Sequence, residues 1–257
     1  MNTAMQRRLT AEVVLRSVAL NAAFYISYPA VMVGGLFFLF LPRRRAAAAL
    51  RWWSRVFVGM CRVLGGIRLE VRGAEHIPHG AAIVAGKHQS MWETFALFHL
   101  LDDAAIVLKK ELYYIPLVGQ FLRKFRMIPV ERAAGAKALK ALIRAARSAA
   151  TEGRQILIFP EGHRMAPFAE PDYKPGVAAL HAALKLPCTP FALNSGLFWP
   201  RRSFWRWPGT IVVEFLPAIG ADMPRREFMA RLQEAIEPAA RALAEEGLED
   251  LRRRGLV

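Results

Sequence analysis

The stretch AAIVAGKHQSMWETFALFHL, residues 81–100, joins a short apolar run to a helical pattern through a polar turn. A continuous apolar run such as AAIVAG is typical of a parallel strand that is buried on both faces. The run ends at Gly86, and a lysine and a histidine follow at once. The stretch therefore predicts a strand, a turn with charged side chains, and a helix.

The same alternation of strand and helix continues outward from this stretch. Strand patterns occupy residues 67–72, 82–86, 104–108, 127–130, 155–159, 189–193 and 210–216. Helical patterns lie at about 90–101, 111–124, 134–152, 175–186 and 225–246. This order predicts an α/β domain with a largely parallel sheet that is covered on both faces.

Polar residues follow three of the predicted strands. They are Lys87 and His88 after the second strand, Arg132 after the fourth, and PEGHR (160–164) after the fifth. Because the carboxyl ends of parallel strands meet at one edge of a sheet, we expect these side chains to converge there.

His88 and Glu93 form the first candidate pair at that edge. Five positions along a helix turn a side chain by about 500°, so the two cannot share one helical face. They can meet if His88 lies in the turn and the helix begins after Ser90, since SMWE (90–93) fits a capping box. A carboxylate on one imidazole nitrogen leaves the other nitrogen free to take a proton from a substrate hydroxyl group. The alternative is that Glu93 only completes the capping box and His88 is an ordinary turn residue.

The segment FPEGHRM, residues 159–165, is the second candidate. Pro160 and Gly162 predict a tight turn that brings backbone N–H groups close to a ligand. Glu161 can accept hydrogen bonds from a polyol hydroxyl, and Arg164 can hold a phosphate. The alternative is a solvated turn with a Glu–Arg pair; His163 has no evident partner.

Composition indicates lipid contact and anionic partners. Of the 257 residues 54% are hydrophobic, and the formal net charge is +15. The mean hydropathy of +0.20 is high for a purely soluble protein. Such a positive charge favours nucleic acid, anionic lipid or phosphorylated substrates. The two cysteines, Cys61 and Cys188, form no disulfide framework or zinc pattern, which indicates a reducing cytosolic environment.

Residues 17–42 contain no Asp, Glu, Lys, Arg or His. As a helix they would span roughly 39 Å, and the hydrocarbon core of a bilayer needs about 30 Å. Arginines flank both ends, with the heavier cluster at 43–45, which places the rest of the chain in the cytoplasm. We therefore predict a hairpin that is broken at Pro29 and returns to the same side. A single crossing and a buried core helix are the alternatives.

Four sequence blocks resemble those of the glycerolipid acyltransferases, specifically the 1-acylglycerol-3-phosphate acyltransferases. KHQSMWE (87–93) looks like the His-x4-Asp motif of this family. The similar second, third and fourth blocks are KKELYYIPLVGQFLRKFRMIPVER (109–132), FPEGHR (159–164) and LPCTPFALNSG (186–196). The resemblance covers residues 46–217 in order. Two residues depart from it, since Glu93 replaces the usual Asp and His163 the usual Thr.

The resemblance implies a fold and a set of site residues. The fold would be an αβα sandwich preceded in sequence by a membrane-embedded helical hairpin. Residues 1–66 would form the membrane anchor, and residues 67–257 the acyltransferase domain. His88 would be the general base and Glu93 its partner. Residues implied in substrate binding are Arg132, Glu161, Gly162 and Arg164 on the glycerol phosphate, Lys87 or Lys110 near it, and Pro190 on the acyl-donor side.

The implied reaction moves a fatty acyl group from a thioester to the 2-hydroxyl of lysophosphatidate and forms phosphatidate. The donor would be acyl-coenzyme A or acyl carrier protein, with no metal and no bound cofactor. Anionic membrane lipid is a further expected partner, and nucleic acid is not. The expected location is the cytoplasmic face of a bacterial-type inner membrane. The alternatives are acylation of another lyso-lipid, such as a lyso-aminolipid, and a lipid-binding membrane protein without catalytic activity.

Two basic features lie outside the catalytic motifs. Residues 197–208, LFWPRRSFWRWP, alternate aromatic residues with arginines, which fits lipid headgroups better than nucleic acid. Lys137, Lys140, Arg144 and Arg147 recur at helical spacing. This basic stripe is either a solvated face or a docking face for an acidic carrier protein or headgroups.

Overall fold

One mixed sheet forms the centre of the computed structural model, which describes residues 7–131 and 135–257. Its strands are β1 Ile67–Arg72, β2 Ala82–Gly86, β3 Ala104–Lys109, β4 Ile128–Val130, β5 Gln155–Ile158, β6 Cys188–Leu193 and β7 Gly209–Phe215. Their order across the sheet is β1-β7-β6-β2-β5-β3-β4. Neighbouring strands are parallel except for β6 and β7. All seven predicted strands are present, and the prediction of a mostly parallel sheet is confirmed.

Helices connect the strands. They are α1 Ala11–Gly34, α2 Arg43–Val63, α3 Trp92–Ala96, α4 Val118–Lys124, α5 Gly135–Thr151, α6 Gly176–Leu184, α7 Ser195–Phe198 and α8 Arg225–Arg253. The helix predicted over 111–124 is divided into a 3-10 turn, Lys110–Tyr114, and α4. Pro116 explains the division, because a proline disfavours helical backbone at the residue before it.

The two faces of the sheet are covered by different helices. Val84 points from β2 into a cluster that contains Phe57 of α2. Its neighbour Ile83 points to the opposite face, where Leu142 of α5 and Phe228 of α8 lie. This alternation along a fully buried strand produces the predicted αβα sandwich.

Gly86 allows β2 and β6 to come close together where the polar turn begins. A Cβ atom at this position would lie 2.2 Å from the carbonyl oxygen of Phe191 in β6. A larger residue would force the strands apart directly before Lys87 and His88, so glycine is required there.

The hairpin turn lies at residues 35–42, and the prediction of a break at Pro29 is wrong. α1 continues through Pro29 to Gly34. A 3-10 turn, Gly35–Leu39, follows, and Pro42 directly precedes α2. Pro29 removes one N–H group from the helix, and the hydrogen bonds of the flanking turns keep α1 continuous.

α1 and α2 run antiparallel. The ring centroids of Phe24 and Phe57 are 5.7 Å apart, and an Arg16 guanidinium nitrogen lies 3.5 Å from the Leu64 carbonyl oxygen. Phe24 and Phe57 belong to the same apolar cluster as Val84 of the sheet. The hairpin therefore packs along the sandwich. The division into an anchor over 1–66 and a domain over 67–257 stays a prediction.

The outer side of the hairpin is apolar. The segment Ala11–Leu39 is long and apolar enough to cross a membrane, and only 11% of its most apolar window is buried. Its exposed large side chains are Leu15, Val18, Tyr25, Ile26, Val33 and Phe37. This is a candidate membrane segment, in agreement with the predicted N-terminal membrane element.

Candidate active site

The turn after β2 holds His88 against the segment that follows β5. The His88 backbone N–H donates to Glu161 Oε2 (3.0 Å), and its carbonyl oxygen accepts from the Met165 N–H (2.7 Å). The imidazole ring stacks on Phe159, with ring centroids 4.2 Å apart and an interplanar angle of 20°. His88 and the PEGHR segment are thus brought together, as expected for adjacent parallel strands.

Glu93 fixes the orientation of the His88 ring. Its Oε1 atom lies 2.9 Å from His88 Nδ1 and accepts from the backbone N–H groups of Gln89 and Ser90, each at 2.7 Å. Its Oε2 atom accepts from the Ser195 hydroxyl (2.8 Å). Glu93 is fully buried, so these four groups surround the carboxylate. The same oxygen atom, Oε1, therefore contacts the histidine ring and accepts hydrogen bonds from the backbone N–H groups of the turn.

The start of α3 is the predicted capping arrangement with a small shift. The Ser90 hydroxyl accepts from the Trp92 N–H (3.0 Å), and Glu93 reaches back to the Ser90 N–H. Met91 stands directly before the helix. The short connection places Glu93 in the first turn of α3 with its side chain directed at His88.

This geometry leaves Nε2 as the nitrogen of His88 that could take part in a reaction. When Nδ1–H donates to Glu93, Nε2 carries the lone pair and can accept a proton. Among the residues that the structure describes, none hydrogen-bonds to Nε2, and 18% of the His88 side chain is exposed. The arrangement can therefore act as a general base on a group brought by a substrate.

Lys87 and Glu161 belong to a buried charged network beneath His88. Lys87 Nζ lies 2.6 Å from Glu161 Oε1 and 3.0 Å from Glu237 Oε1 of α8. The Tyr173 hydroxyl donates to Glu237 (2.8 Å). Lys87 is 3% exposed and Glu161 is 0% exposed, so both face the network. Burial raises the pKa of the Glu161 carboxyl above its usual value, although Lys87 and the His88 N–H oppose the shift.

Three other predicted substrate-binding residues belong to different strands of the sheet or to the turns that follow them. Gly162 has a φ of +69°, and its N–H donates to the Phe159 carbonyl oxygen (2.9 Å), which forms the predicted tight turn. Pro190 is buried within β6 opposite Ala85 of β2. Lys110 directly follows β3, and its side chain is about half exposed. Arg132 lies outside the described residues.

Lys110 forms an ion pair with Glu131 (2.8 Å). Lys110 follows β3 and Glu131 follows β4, which lie two and three strands away from β2, the strand before His88. The roles assigned to these residues by resemblance stay predictions.

Arg164 lines a cavity of about 540 Å³ beside His88. Gln89, Met165 and Gly196 also line it, together with Arg7 and Arg201. Sequence reasoning did not connect Arg7 or Arg201 with the site; the alternation of arginine and aromatic residues at 197–208 was the only available signal. Ser195, Tyr173 and Glu237 were also missed, because no local pattern relates them to His88.

The fold and the site define a class of enzyme. A parallel α/β sandwich holds a carboxylate-oriented histidine beyond the carboxyl end of a central strand. Residues 68–194 match the model of the Acyltransferase family. A crystal structure of the 1-acyl-sn-glycerophosphate (LPA) acyltransferase from Thermotoga maritima has a TM-score of 0.74 and 19% identity, covering 91% of this chain and 96% of that chain. The two proteins therefore share a fold.

Closer sequence relatives define the family. A 1-acyl-sn-glycerol-3-phosphate acyltransferase of Pseudomonas aeruginosa is 36% identical over 220 residues, which are 83% of this chain and 86% of that protein. A protein of the same name from Limnanthes alba is 29% identical over 172 residues, 66% of this chain and 61% of that protein. The chain belongs to the 1-acyl-sn-glycerol-3-phosphate acyltransferase family, and the resemblance found in the four sequence blocks is confirmed.

Proposed function

We propose that this acyltransferase moves a fatty acyl group from a thioester to the 2-hydroxyl of lysophosphatidate and forms phosphatidate. The observation that carries the proposal is the His88–Glu93 pair, which has a 2.9 Å contact at Nδ1 and no described partner at Nε2. The pair occurs in a chain that is 36% identical to a 1-acyl-sn-glycerol-3-phosphate acyltransferase.

The proposed chemistry uses His88 twice. Nε2 removes the proton of the 2-hydroxyl, and the resulting oxygen nucleophile attacks the thioester carbonyl carbon. The tetrahedral intermediate collapses, the C–S bond breaks, and the imidazolium returns its proton to the leaving thiolate. Glu93 stabilises the imidazolium that forms between these two steps, because its carboxylate lies at Nδ1.

The thioester supplies the activated acyl group, so the proposed mechanism requires neither a metal nor a bound cofactor. We assign acyl-coenzyme A or acyl carrier protein as the donor. A net charge of +15 supports either one, since both carry phosphate and the carrier protein class is acidic. Arg164 would contact the acceptor phosphate, with Arg132 and Lys110 from the neighbouring strands.

The hairpin would enter the cytoplasmic leaflet of a bacterial-type inner membrane and return to the cytoplasm. The antiparallel packing of α1 and α2 supports this topology, as does the exposed apolar surface of α1. Arginines at both ends of residues 17–42 favour the same cytoplasmic side. Anionic lipid headgroups would contact these arginines.

A panel of acceptors tests the proposed reaction. Purified protein is incubated with an acyl thioester and with lysophosphatidate, a lyso-aminolipid or a neutral lysophospholipid, and the products are identified by mass spectrometry. We expect phosphatidate as the main product. A product formed only from a different lyso-lipid would replace lysophosphatidate as the acceptor, and binding of lipids without any product would contradict the enzymatic proposal.

A further inference from the structure

The cavity beside His88 is built from three distant parts of the chain. Arg7 comes from the segment before α1, Arg164 from the turn after β5, and Arg201 from the loop after α7. Trp205 and Trp207 from the same loop add apolar surface. Of these arginines, only Arg164 belongs to a sequence block that resembles the family.

The cavity begins next to the candidate general base. Gln89, which directly follows His88, lines it, and so does Met165, whose N–H donates to the His88 carbonyl oxygen. Gln89 Oε1 accepts from the Gly196 N–H (3.0 Å), which joins the two walls. A Cβ atom at Gly196 would lie 3.0 Å from Gln89 and Pro167, so these walls are closely packed. A ligand in the cavity therefore lies next to the turn that holds His88, although the His88 side chain is not part of the lining.

In the described part of the chain the three arginines form no ion pair with a carboxylate, and Glu93 acts on Arg164 only through space. Arg7 donates to the Leu197 carbonyl oxygen (2.9 Å) and lies 4.8 Å above the Trp207 ring. Arg201 donates to the Arg164 carbonyl oxygen (3.0 Å). Over residues 7–131 and 135–257, no carboxylate oxygen lies within 4.0 Å of their guanidinium nitrogens.

Burial and repulsion between the guanidinium groups both disfavour positive charge at this cavity. Burial lowers the pKa of Arg7 to about 10. Burial also lowers the pKa of Arg164, and the nearby charge of Arg201 lowers it further; the Glu93 carboxylate opposes this shift, and Arg202 adds to it. Both shifts mean that the surroundings disfavour the charged forms of Arg7 and Arg164. An anion placed among them would remove the penalty.

We infer that Arg7 and Arg201 join Arg164 in a phosphate-binding subsite beside His88. Guanidinium groups recognise phosphate oxygens through directional, charge-assisted hydrogen bonds, and three of them match a group with several oxygens. The inference rests on the proposed function for the source of the phosphate. That source is either the phosphate of the acceptor or a phosphate of the donor's pantetheine arm.

The kinetic test uses Arg201→Gln, with Arg202→Gln as its matched control. Both variants lose one positive charge that acts on Arg164 from the same loop, but only Arg201 lines the cavity. We expect Arg201→Gln to raise the KM of one substrate about tenfold or more with little change in kcat. Arg201→Lys should recover part of this loss, and Arg202→Gln should change either KM by less than about twofold. Equal effects of Arg201→Gln and Arg202→Gln would overturn the subsite.

Two arms of the experiment separate the sources. If the acceptor supplies the phosphate, the KM for lysophosphatidate rises and the KM for acyl-coenzyme A does not. If the donor supplies it, the KM for acyl-coenzyme A rises, and the defect disappears with an acyl-pantetheine thioester that lacks phosphate. A rise in neither KM would contradict the inference.

A binding measurement tests the subsite without turnover. Glycerol 3-phosphate and inorganic phosphate should raise the Tm of the wild-type protein in a saturable way, and Arg7→Gln and Arg201→Gln should each weaken this response. The same response in wild type and both variants would overturn the subsite. Because this arm needs no catalysis, it remains decisive even if the wild-type protein fails to acylate lysophosphatidate, a result that would contradict the proposed function alone.

Discussion

The Oε1 atom of Glu93 contacts His88 Nδ1 and two backbone N–H groups at once. The contacts required by the two interpretations of this residue, a helix cap and a partner of the histidine, are therefore both present. The longer side chain also accounts for glutamate at a position where the family usually has aspartate. From the first turn of α3, the extra methylene still brings the carboxylate to 2.9 Å from the ring. Charge, not contact, distinguishes a cap from a catalytic partner.

Glu93→Gln should separate these two roles. The amide oxygen can keep the three contacts of Oε1, and the amide nitrogen can donate to the Ser195 hydroxyl, so the turn remains satisfied. The negative charge that stabilises the imidazolium is lost. We expect a Tm close to that of the wild type and a kcat lower by roughly two to four powers of ten.

Glu93→Asp is the control for this experiment. It restores the usual residue of the family and keeps the charge, so substantial activity should remain if the start of α3 shifts slightly. A fully active and stable Glu93→Gln protein would show that the carboxylate serves only as a cap.

The network of Lys87, Glu161, Glu237 and Tyr173 shows how α8 supports the turn that holds His88. Lys87 lies between two carboxylates, one of which holds the His88 N–H. Removal of one partner from a buried ion pair leaves an uncompensated charge, which is far more costly than a lost surface pair. The stability of the turn should therefore depend on the cation of Lys87.

Lys87→Met should lower the Tm at pH 7 by about 10 °C. The folded-state pKa of Glu161 is already raised, and loss of Lys87 raises it further. A carboxyl with a raised folded-state pKa stabilises the folded protein below its unfolded pKa, and this contribution is lost as pH rises through the folded pKa. Thermal unfolding should therefore show that the variant recovers stability as the pH falls from 7 towards 5.

Lys87→Met/Glu161→Gln checks the cause of that pH dependence. It removes the buried carboxyl, so much of the additional pH dependence should disappear. A single Lys87→Met variant as stable as the wild type at pH 7 would contradict a supporting role for the network.

At the scale of elements, the sequence pattern of the hairpin predicts its two helices but not the position of the turn between them. The uncharged run and its flanking arginines indicate two helices that return to one side. They do not place the turn, because Pro29, Gly34, Gly35 and Pro42 are all plausible breaks. In the structure α1 ends at Gly34, and the turn that follows contains Gly35 and Pro42. The loss of one helical hydrogen bond at Pro29 costs less free energy than breaking the continuous helix that buries Phe24.

Cysteine labelling tests the topology of α1 and α2. Native Cys61 and Cys188 are buried, so a single introduced cysteine can be labelled selectively. A membrane-impermeant maleimide should leave Arg8→Cys and Arg45→Cys unlabelled in intact cells and label both in inverted vesicles. Labelling of the two positions from opposite sides would contradict the hairpin and establish a single crossing.

At the scale of the whole molecule, local sequence predicts the sheet better than the site. Short apolar or alternating runs predict the ends of each strand to within one residue, and strand-end motifs bring His88 and Glu161 together. Ser195 and Glu237 complete the site from positions 102 and 150 residues away from their partners. Such contacts depend on the packing of α7 and α8, which no local periodicity encodes.

The most direct measurement of the central claim compares phosphatidate formation by wild type and His88→Ala. Both proteins are purified in the same detergent, checked for an unchanged Tm, and assayed with lysophosphatidate and an acyl thioester by mass spectrometry. The side chain of His88 is partly exposed, and Glu93 keeps its contacts with Gln89, Ser90 and Ser195 without it, so the variant should fold and still bind lysophosphatidate. Formation of phosphatidate should fall to the uncatalysed background, whereas a folded His88→Ala protein that retains most of the wild-type activity would contradict the general-base account.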